Sequence, residues 1–218
     1  MGTEMFHVKQ LHLELQIQQR EKLSAFARLL QQYNRRLNLV SRRTTDRGFL
    51  QHIQECLALA AYRFEKGSSL VDWGTGGGLP AIPLAIVFPG VTVYAVDAFQ
   101  KKIFAVNSFK RQLELPNLQP WHGRAERFVH TINHSVSRAT APLCTLWGWH
   151  ERAAIQDGNG PGALYCLKGG DLSAELEALR KANSNVHVKI KPVPETTRVV
   201  VQVRELHSPV DKGLRGQT

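Results

Sequence analysis

At 218 residues and 24.5 kDa, the chain is long enough for one substantial core, or for one core with a small helical appendage. Its 43% hydrophobic and 21% charged content is globular and excludes disordered or fibrous classes, and no apolar run approaches the ~20 residues of a membrane helix. The formal charge of +10 points to a polyanionic partner, with a solvated basic face as the plainer alternative.

In chain order, Gln10 to Leu39 has helical grammar. Leu11, Leu15, Leu23, Phe26, Leu29, Leu30, Tyr33 and Leu37 fall largely at three- and four-residue steps, without Pro or Gly. Asp46 is placed to cap a second helix over Phe49 to Phe64, and Gly67-Ser68-Ser69 then breaks the pattern. Residues 1–66 therefore form an N-terminal helical element, and they hold 11 basic against 6 acidic side chains. Arg35, Arg36, Arg42, Arg43 and Arg47 lie within 13 residues. Guanidiniums at that density suit an RNA backbone, because each presents a planar fork to phosphate oxygens.

From Leu70 the pattern changes to strand, glycine loop, helix. Leu70-Val71 is a short strand ending at Asp72, followed by Gly74-Thr75-Gly76-Gly77-Gly78 and a helix over Leu79 to Val87. Val91 to Val96 is a second strand ending at Asp97, Gln100 to Leu113 a helix, and Leu118 to Trp121 a third strand. Gly123 opens a loop into Ala125 to Val129, and Ser135 to Arg138 and Ala163 to Leu167 are the fourth and fifth strands. A helix over Leu172 to Ala182 and a strand pair, Val186 to Ile190 with Arg198 to Val203, complete a domain over 67–207. Asp157 to Gly162 is a Gly-rich surface loop, and 208–218 is a flexible tail. Strands alternating with helices imply an α/β fold with a doubly wound, mostly parallel sheet, which binds ligands beyond the carboxyl ends of its strands. Asp72 to Gly78, Asp97, Gly123 to Glu126, Arg138 and Lys168 all fall at such ends.

The glycine loop carries the sharpest chemical signal. A dinucleotide site wants G-x-G-x-x-G, but here Gly74, Gly76 and Gly78 give G-x-G-x-G, with Leu79 where the last dinucleotide glycine belongs. Asp72, two residues before the first glycine, disfavours a pyrophosphate and suits a cationic nucleoside such as S-adenosylmethionine. Asp97 at the second strand end can accept both ribose hydroxyls, and Ala125 and Glu126 can meet an adenine edge. Cys56, Cys144 and Cys166, odd in number and far apart, fit neither a disulfide framework nor a metal knuckle. No metal site is expected.

These residues resemble a class I S-adenosylmethionine-dependent methyltransferase. Within that class the chain is similar, from about Tyr33 to Leu206, to the bacterial 16S ribosomal RNA guanine-N7 methyltransferase family, RsmG or GidB. The matching stretches include Asn38-Leu39-Val40-Ser41, His52-Ile53, Val71-Asp72 with Gly74-Thr75-Gly76, Ile82-Pro83-Leu84, Arg124-Ala125-Glu126, Ser137-Arg138-Ala139 with Ala141-Pro142-Leu143, and Leu167-Lys168-Gly169. The resemblance implies a Rossmann-like sheet of seven strands with an antiparallel C-terminal strand, preceded by a helical extension. It also implies cofactor contacts at Gly74, Leu79, Ala125, Glu126 and Arg138, and 16S ribosomal RNA or the small ribosomal subunit as partner. A monomer in the cytoplasm, away from membranes, is the corresponding expectation. The chain departs from the family pattern at Trp73, Leu79, Ala81, Glu55-Cys56 and His134-Ser135.

Guanine N7 has a lone pair and no proton, so its methylation needs no general base. The sequence offers no obvious base and no catalytic residue is assigned; Arg138 and Lys168 are candidates for positioning cofactor or substrate, and Lys168 also for an RNA phosphate. His52 has the setting of a hydrogen-bonded core histidine. Trp147 and Trp149 either stack on a splayed base or cover a core edge. The competing readings are a methyltransferase for another RNA site or a small molecule, a nucleotide-binding oxidoreductase, and an RNA-binding relative without catalysis.

Overall fold

A computed structural model describes residues 13–41, 44–155 and 162–206. Arg42, Arg43, the segment 157–161 of the expected Gly-rich loop and the tail 208–218 lie outside the described residues. Among the described residues, six α-helices and seven strands follow one another in chain order. They are α1 (Ile17–Leu37), α2 (Asp46–Leu57), β1 (Ser69–Trp73), α3 (Ala81–Val87), β2 (Thr92–Asp97), α4 (Gln100–Gln112) and β3 (Leu118–His122). Then come β4 (His134–Arg138), α5 (Leu143–Ala153), β5 (Leu164–Gly169), α6 (Ser173–Ala182), β6 (Val186–Pro192) and β7 (Arg198–Glu205). The sheet order is β3-β2-β1-β4-β5-β7-β6, and β7 runs opposite to the other six strands. The expected seven-stranded mixed sheet is present, and strand order reverses at β1.

Alternation along each strand sends side chains to two covered faces. Leu70, Val93, Ala95 and Val136 join one core, packed beneath α1 to α4. Val71, Trp73, Val96, Leu164 and Cys166 join a second, packed beneath α5 and α6. Leu23, Phe26, Leu30, Ile53 and Leu57 of the N-terminal helices are fully buried within the first core. The helical extension therefore shares its apolar interior with the sheet.

Four local features depart from the sequence expectation. Helix α1 begins at Ile17, with Leu13 to Gln16 non-helical. Its start is fixed from outside: the Gln19 side-chain amide donates to the carbonyls of Ile86 (3.2 Å) and Val87 (3.1 Å) at the end of α3. Those are carbonyls that a helix end leaves without intrahelical partners. Thr45, not Asp46, caps α2, because its hydroxyl accepts the Gly48 N–H at 3.2 Å while Asp46 is already helical and receives the Gln31 amide. The second helix also tightens into a 3₁₀ turn over Ala58–Tyr62 rather than continuing to Phe64. Finally, Leu143–Ala153 is helical although no helix is expected there.

The end of α1 shapes the glycine loop. Asn38 takes the left-handed conformation, φ 52°, and its N–H bonds Asn34 O at 3.3 Å, while Val40 N–H bonds the Asn34 side chain at 2.9 Å. This turn lays Leu39 against Gly77. A β-carbon on Gly77 would stand 2.8 Å from Leu30 Cδ1 and 3.0 Å from Leu39 Cβ. Gly77 is thus required for close packing and not for its backbone angles. Gly77→Ala should lower stability by about 1–3 kcal/mol through overpacking. The Leu30→Ala, Gly77→Ala double variant should lose less than the sum of the two singles in urea denaturation.

Candidate active site

A cavity of about 690 Å³ opens beside the carboxyl ends of β1, β2 and β4. That volume is in the range of small-ligand sites, and the position is the one the strand order dictates. Leu39, Val40 and Ser41 from the end of α1 and His52 from α2 line it, with Gly74 to Gly77 and Leu79. Asp97, Phe99 and Lys102 follow β2; Gly123 to Glu126 follow β3; Arg138 to Thr140 follow β4; Trp149 and Arg198 complete the lining.

The glycine loop is held in a conformation that side chains disfavour. Gly74 (φ 72°) and Gly76 (φ 58°) are left-handed. A β-carbon on Gly74 would lie 2.2 Å from Thr140 Cγ2, whose hydroxyl donates to Trp73 O at 3.0 Å and so roofs the loop. At Gly76 the nearest atom is Leu39 O, 3.7 Å from such a β-carbon, so that backbone remains open to close approach. Asp97 Oδ2 accepts the Gly76 N–H (3.0 Å) and Oδ1 accepts the Phe99 N–H (2.9 Å), while Lys102 Nζ stands 3.4 Å from Oδ2. The second-strand carboxylate is thereby locked in orientation with acceptor capacity left over.

Asp72 does not face the cavity, contrary to the expectation of a direct contact. The two-residue period of β1 turns it behind the loop, fully buried, where Oδ2 accepts the Ala81 N–H at 3.1 Å. It holds the first turn of α3, as a carboxylate at a helix start does. Burial raises its pKa to about 7, outweighing the Thr75 hydroxyl and the Ala81 N–H, which favour the charged form. Gly78 also lies outside the lining; its φ of 88° and the Ile82 Cδ1 atom, 2.3 Å from a virtual β-carbon, mark it as the turn into α3.

Lys168 requires a further correction. Its ammonium is spent inside the molecule, donating to Ala141 O at 2.7 Å and to Glu175 Oε2 at 2.8 Å, and it does not line the cavity. Arg138 does line it, and its Nη2 lies 2.7 Å from His52 Nδ1 and 3.5 Å from Glu55 Oε2. The carboxylate it stands beside is Glu55. Burial works to raise the Glu55 pKa, but His52, Arg138 and Arg198 together outweigh it and hold the carboxyl below the ordinary range.

Trp147 is fully buried and cannot stack on a base, whereas Trp149 forms part of the wall and donates from Nε1 to Glu126 Oε1 at 3.1 Å. Arg35, Arg36 and Arg47 are exposed on α1 and α2. Thr140, Phe99, Lys102 and Arg198 are site residues that sequence reasoning missed. Thr140 had a signal, since it lies between Ala139 and Ala141 inside the family-matching segment. Cys56 and Cys166 are buried thiols pushed up to about 12 by burial, and the described residues hold no cluster fit for a metal ion. No described helix is long and apolar enough to cross a membrane.

The family model for GidB, rRNA small subunit methyltransferase G, matches residues 19–204. The chain belongs to this family. Ribosomal RNA small subunit methyltransferase G of Salinibacter ruber is 47% identical over 180 residues, spanning 80% of this chain and 84% of the relative. The protein of the same name from Flavobacterium psychrophilum is 39% identical, spanning 77% and 80%. Among solved structures, an rRNA methylase from Streptococcus thermophilus superposes with a TM-score of 0.53 at 18% identity, covering 72% of this chain and 97% of that one. Aeropyrum pernix fibrillarin, in complex with natively bound S-adenosyl-L-methionine, gives 0.51 at 14% identity, covering 64% and 67%. These two likenesses show a shared fold, the Rossmann-like methyltransferase sheet.

The buried Asp72 makes a pH prediction. Folding lifts its pKa from 3.8 to about 7, so between those values the folded chain holds a proton that the unfolded chain has lost. The stability contributed by this group is present at low pH and falls as pH rises to about 7. Asp72→Asn removes the titration. In urea denaturation, the stability of the variant relative to wild type should rise by up to roughly 4 kcal/mol between pH 4 and pH 7.

Proposed function

We propose that this chain transfers the methyl group of S-adenosylmethionine to N7 of a guanine in 16S ribosomal RNA, acting as a cytoplasmic monomer on the RNA or the small ribosomal subunit. One observation carries the reading. The open backbone of Gly76, the oriented carboxylate of Asp97, the Ala125-Glu126 turn and Arg138 converge on a single cavity, in a chain of the rRNA small subunit methyltransferase G family.

The donor set fits this cofactor. Gly76 leaves room for a nucleoside to lie against backbone, and Asp97 keeps lone pairs for ribose hydroxyls. Glu126, tied to Trp149, offers a carboxylate to an adenine edge, and Arg138 offers a guanidinium to a carboxylate. When bound, S-adenosylmethionine supplies an electrophilic methyl group on a sulfonium.

The residues of the chain bind and orient. The Asp97 oxygens are engaged by the Gly76 and Phe99 amides, and His52 Nδ1 is engaged by Arg138, so neither is poised to remove a proton. That agrees with an acceptor carrying a lone pair and no proton. Alignment of the two reactants, which can be worth roughly 7–11 kcal/mol, then supplies most of the rate. The exposed guanidiniums of Arg35, Arg36 and Arg47 suit the RNA backbone outside the cavity.

Asp97→Ala should weaken S-adenosylhomocysteine binding at least tenfold in titration calorimetry, with the melting temperature little changed. Neutralising Arg35, Arg36 and Arg47 together should lower RNA affinity and flatten its salt dependence by about 2–3 in the slope of log K against log salt. Mass spectrometry of nuclease fragments should find N7-methylguanosine in 16S ribosomal RNA from cells carrying the gene and not from cells lacking it. Its persistence without the gene would refute the assignment.

A further inference from the structure

Glu55, Arg138 and Arg198 form a charged cluster at the cavity that the proposed chemistry leaves partly unused. Glu55, on α2, has a side chain only 5% exposed, yet it faces two guanidiniums, with Arg138 Nη2 3.5 Å from Oε2 and Arg198 Nε 3.9 Å from Oε1. Arginine only donates, so the 2.7 Å contact from Arg138 Nη2 to His52 Nδ1 takes up one of its N–H groups. The cluster holds two guanidinium charges over one carboxylate charge. A single carboxylate cannot occupy ten N–H donors, and it is the counter-charge that lets two cations stand together beside an open cavity.

The backbone makes room for this arrangement. Arg198, the first residue of β7, pairs in register with Gly169, the last residue of β5. A β-carbon on Gly169 would lie 2.7 Å from Arg198 Nη1 and 3.2 Å from its Cδ. Gly169 is not left-handed, so the absent side chain serves space and not backbone conformation. The guanidinium lies along the end of β5, and its side chain is 37% exposed where that of Arg138 is 14% exposed. Arg138 is the inner cation and Arg198 the outer one.

We propose that Arg198, set beside Arg138 over Glu55, is an oxyanion subsite at the cavity that takes a phosphodiester of the substrate RNA strand. The subsite rests on the RNA methyltransferase reading given above, and it assigns the outer guanidinium to the acceptor strand. A planar guanidinium with free N–H groups matches a phosphate's paired oxygens. The residual positive charge gives such an anion a favourable field. A phosphodiester gripped here fixes one strand beside the cavity, which helps present a base to it. The same oxyanion chemistry could instead serve the carboxylate of the methyl donor, and the test separates the two sources.

The full chain is titrated with S-adenosylhomocysteine by calorimetry and with a 16S ribosomal RNA transcript across a salt series. Arg198→Gln should weaken RNA binding roughly three- to tenfold and make the slope of log K against log salt shallower by about 0.7–0.9. Its S-adenosylhomocysteine affinity should stay within about twofold of wild type. Arg198→Lys, which keeps the charge, should restore most of the salt slope. Gly169→Ala, which displaces the guanidinium, should weaken RNA binding in the wild-type background and add nothing to Arg198→Gln. Wild-type RNA affinity and slope in Arg198→Gln would overturn the subsite. So would a loss of S-adenosylhomocysteine affinity with RNA binding intact, which would give Arg198 to the donor. A wild-type chain that binds neither ligand overturns the underlying reading as well, and is distinguishable because no variant is needed to see it.

Discussion

Thr140, Leu39 with Leu30, and Ile82 occupy the places where β-carbons of Gly74, Gly77 and Gly78 would stand. The glycine loop is therefore pressed on by the β4–α5 connection, the N-terminal helices and α3 at once. Only Gly76 keeps an open approach, and its N–H is held by Asp97. Removing side chains from five successive positions but one leaves a backbone with high conformational entropy. Packing from several elements takes up that freedom before any ligand arrives. The cavity is the space left over once this packing is complete.

The two strand-end acids divide the work by burial. Asp97 turns toward the loop's cavity side and orients its amides, while Asp72 turns beneath and secures α3. Desolvation dominates at Asp72, which is why its carboxyl is the group whose proton depends on folding. Cationic groups are divided in the same way. Lys168 is consumed by Ala141 and Glu175 in the interior, and Arg138 and Arg198 remain at the cavity.

Much of the fold was legible because its signals are local. The strand-loop-helix rhythm, the acids at strand ends and the placement of Gly74, Gly76, Leu79, Asp97, Ala125, Glu126 and Arg138 depend on neighbouring residues, and all seven line one cavity. What escaped depends on contacts distant in sequence. Helix α5 carries a helical stripe, Leu143, Leu146, Trp147, His150 and Ala153, all buried. Gly148 and two tryptophans disguised it, since such residues are weak helix formers and tertiary packing overrides them. The orientation of Asp72 was misjudged because a strand tip does not announce which face its last side chain takes. The burial of Lys168 depends on Glu175, seven residues away on the next helix, and on Ala141 in the connection that follows the neighbouring strand β4. Arg198 gained its place from Glu55 and Gly169, which no short window joins.

Trp149 has an optical consequence. The chain has four tryptophans. Trp73 and Trp147 are sealed in the core, Trp121 lies outside the cavity lining, and Trp149 alone contributes an indole to the wall, anchored through Glu126. A molecule entering the cavity changes the surroundings of that indole, whose ring stands 6.1 Å from the buried Trp73 ring. The protein thus carries a native spectroscopic gauge of its own occupancy, one that needs no label and senses the Glu126 wall rather than the guanidinium side.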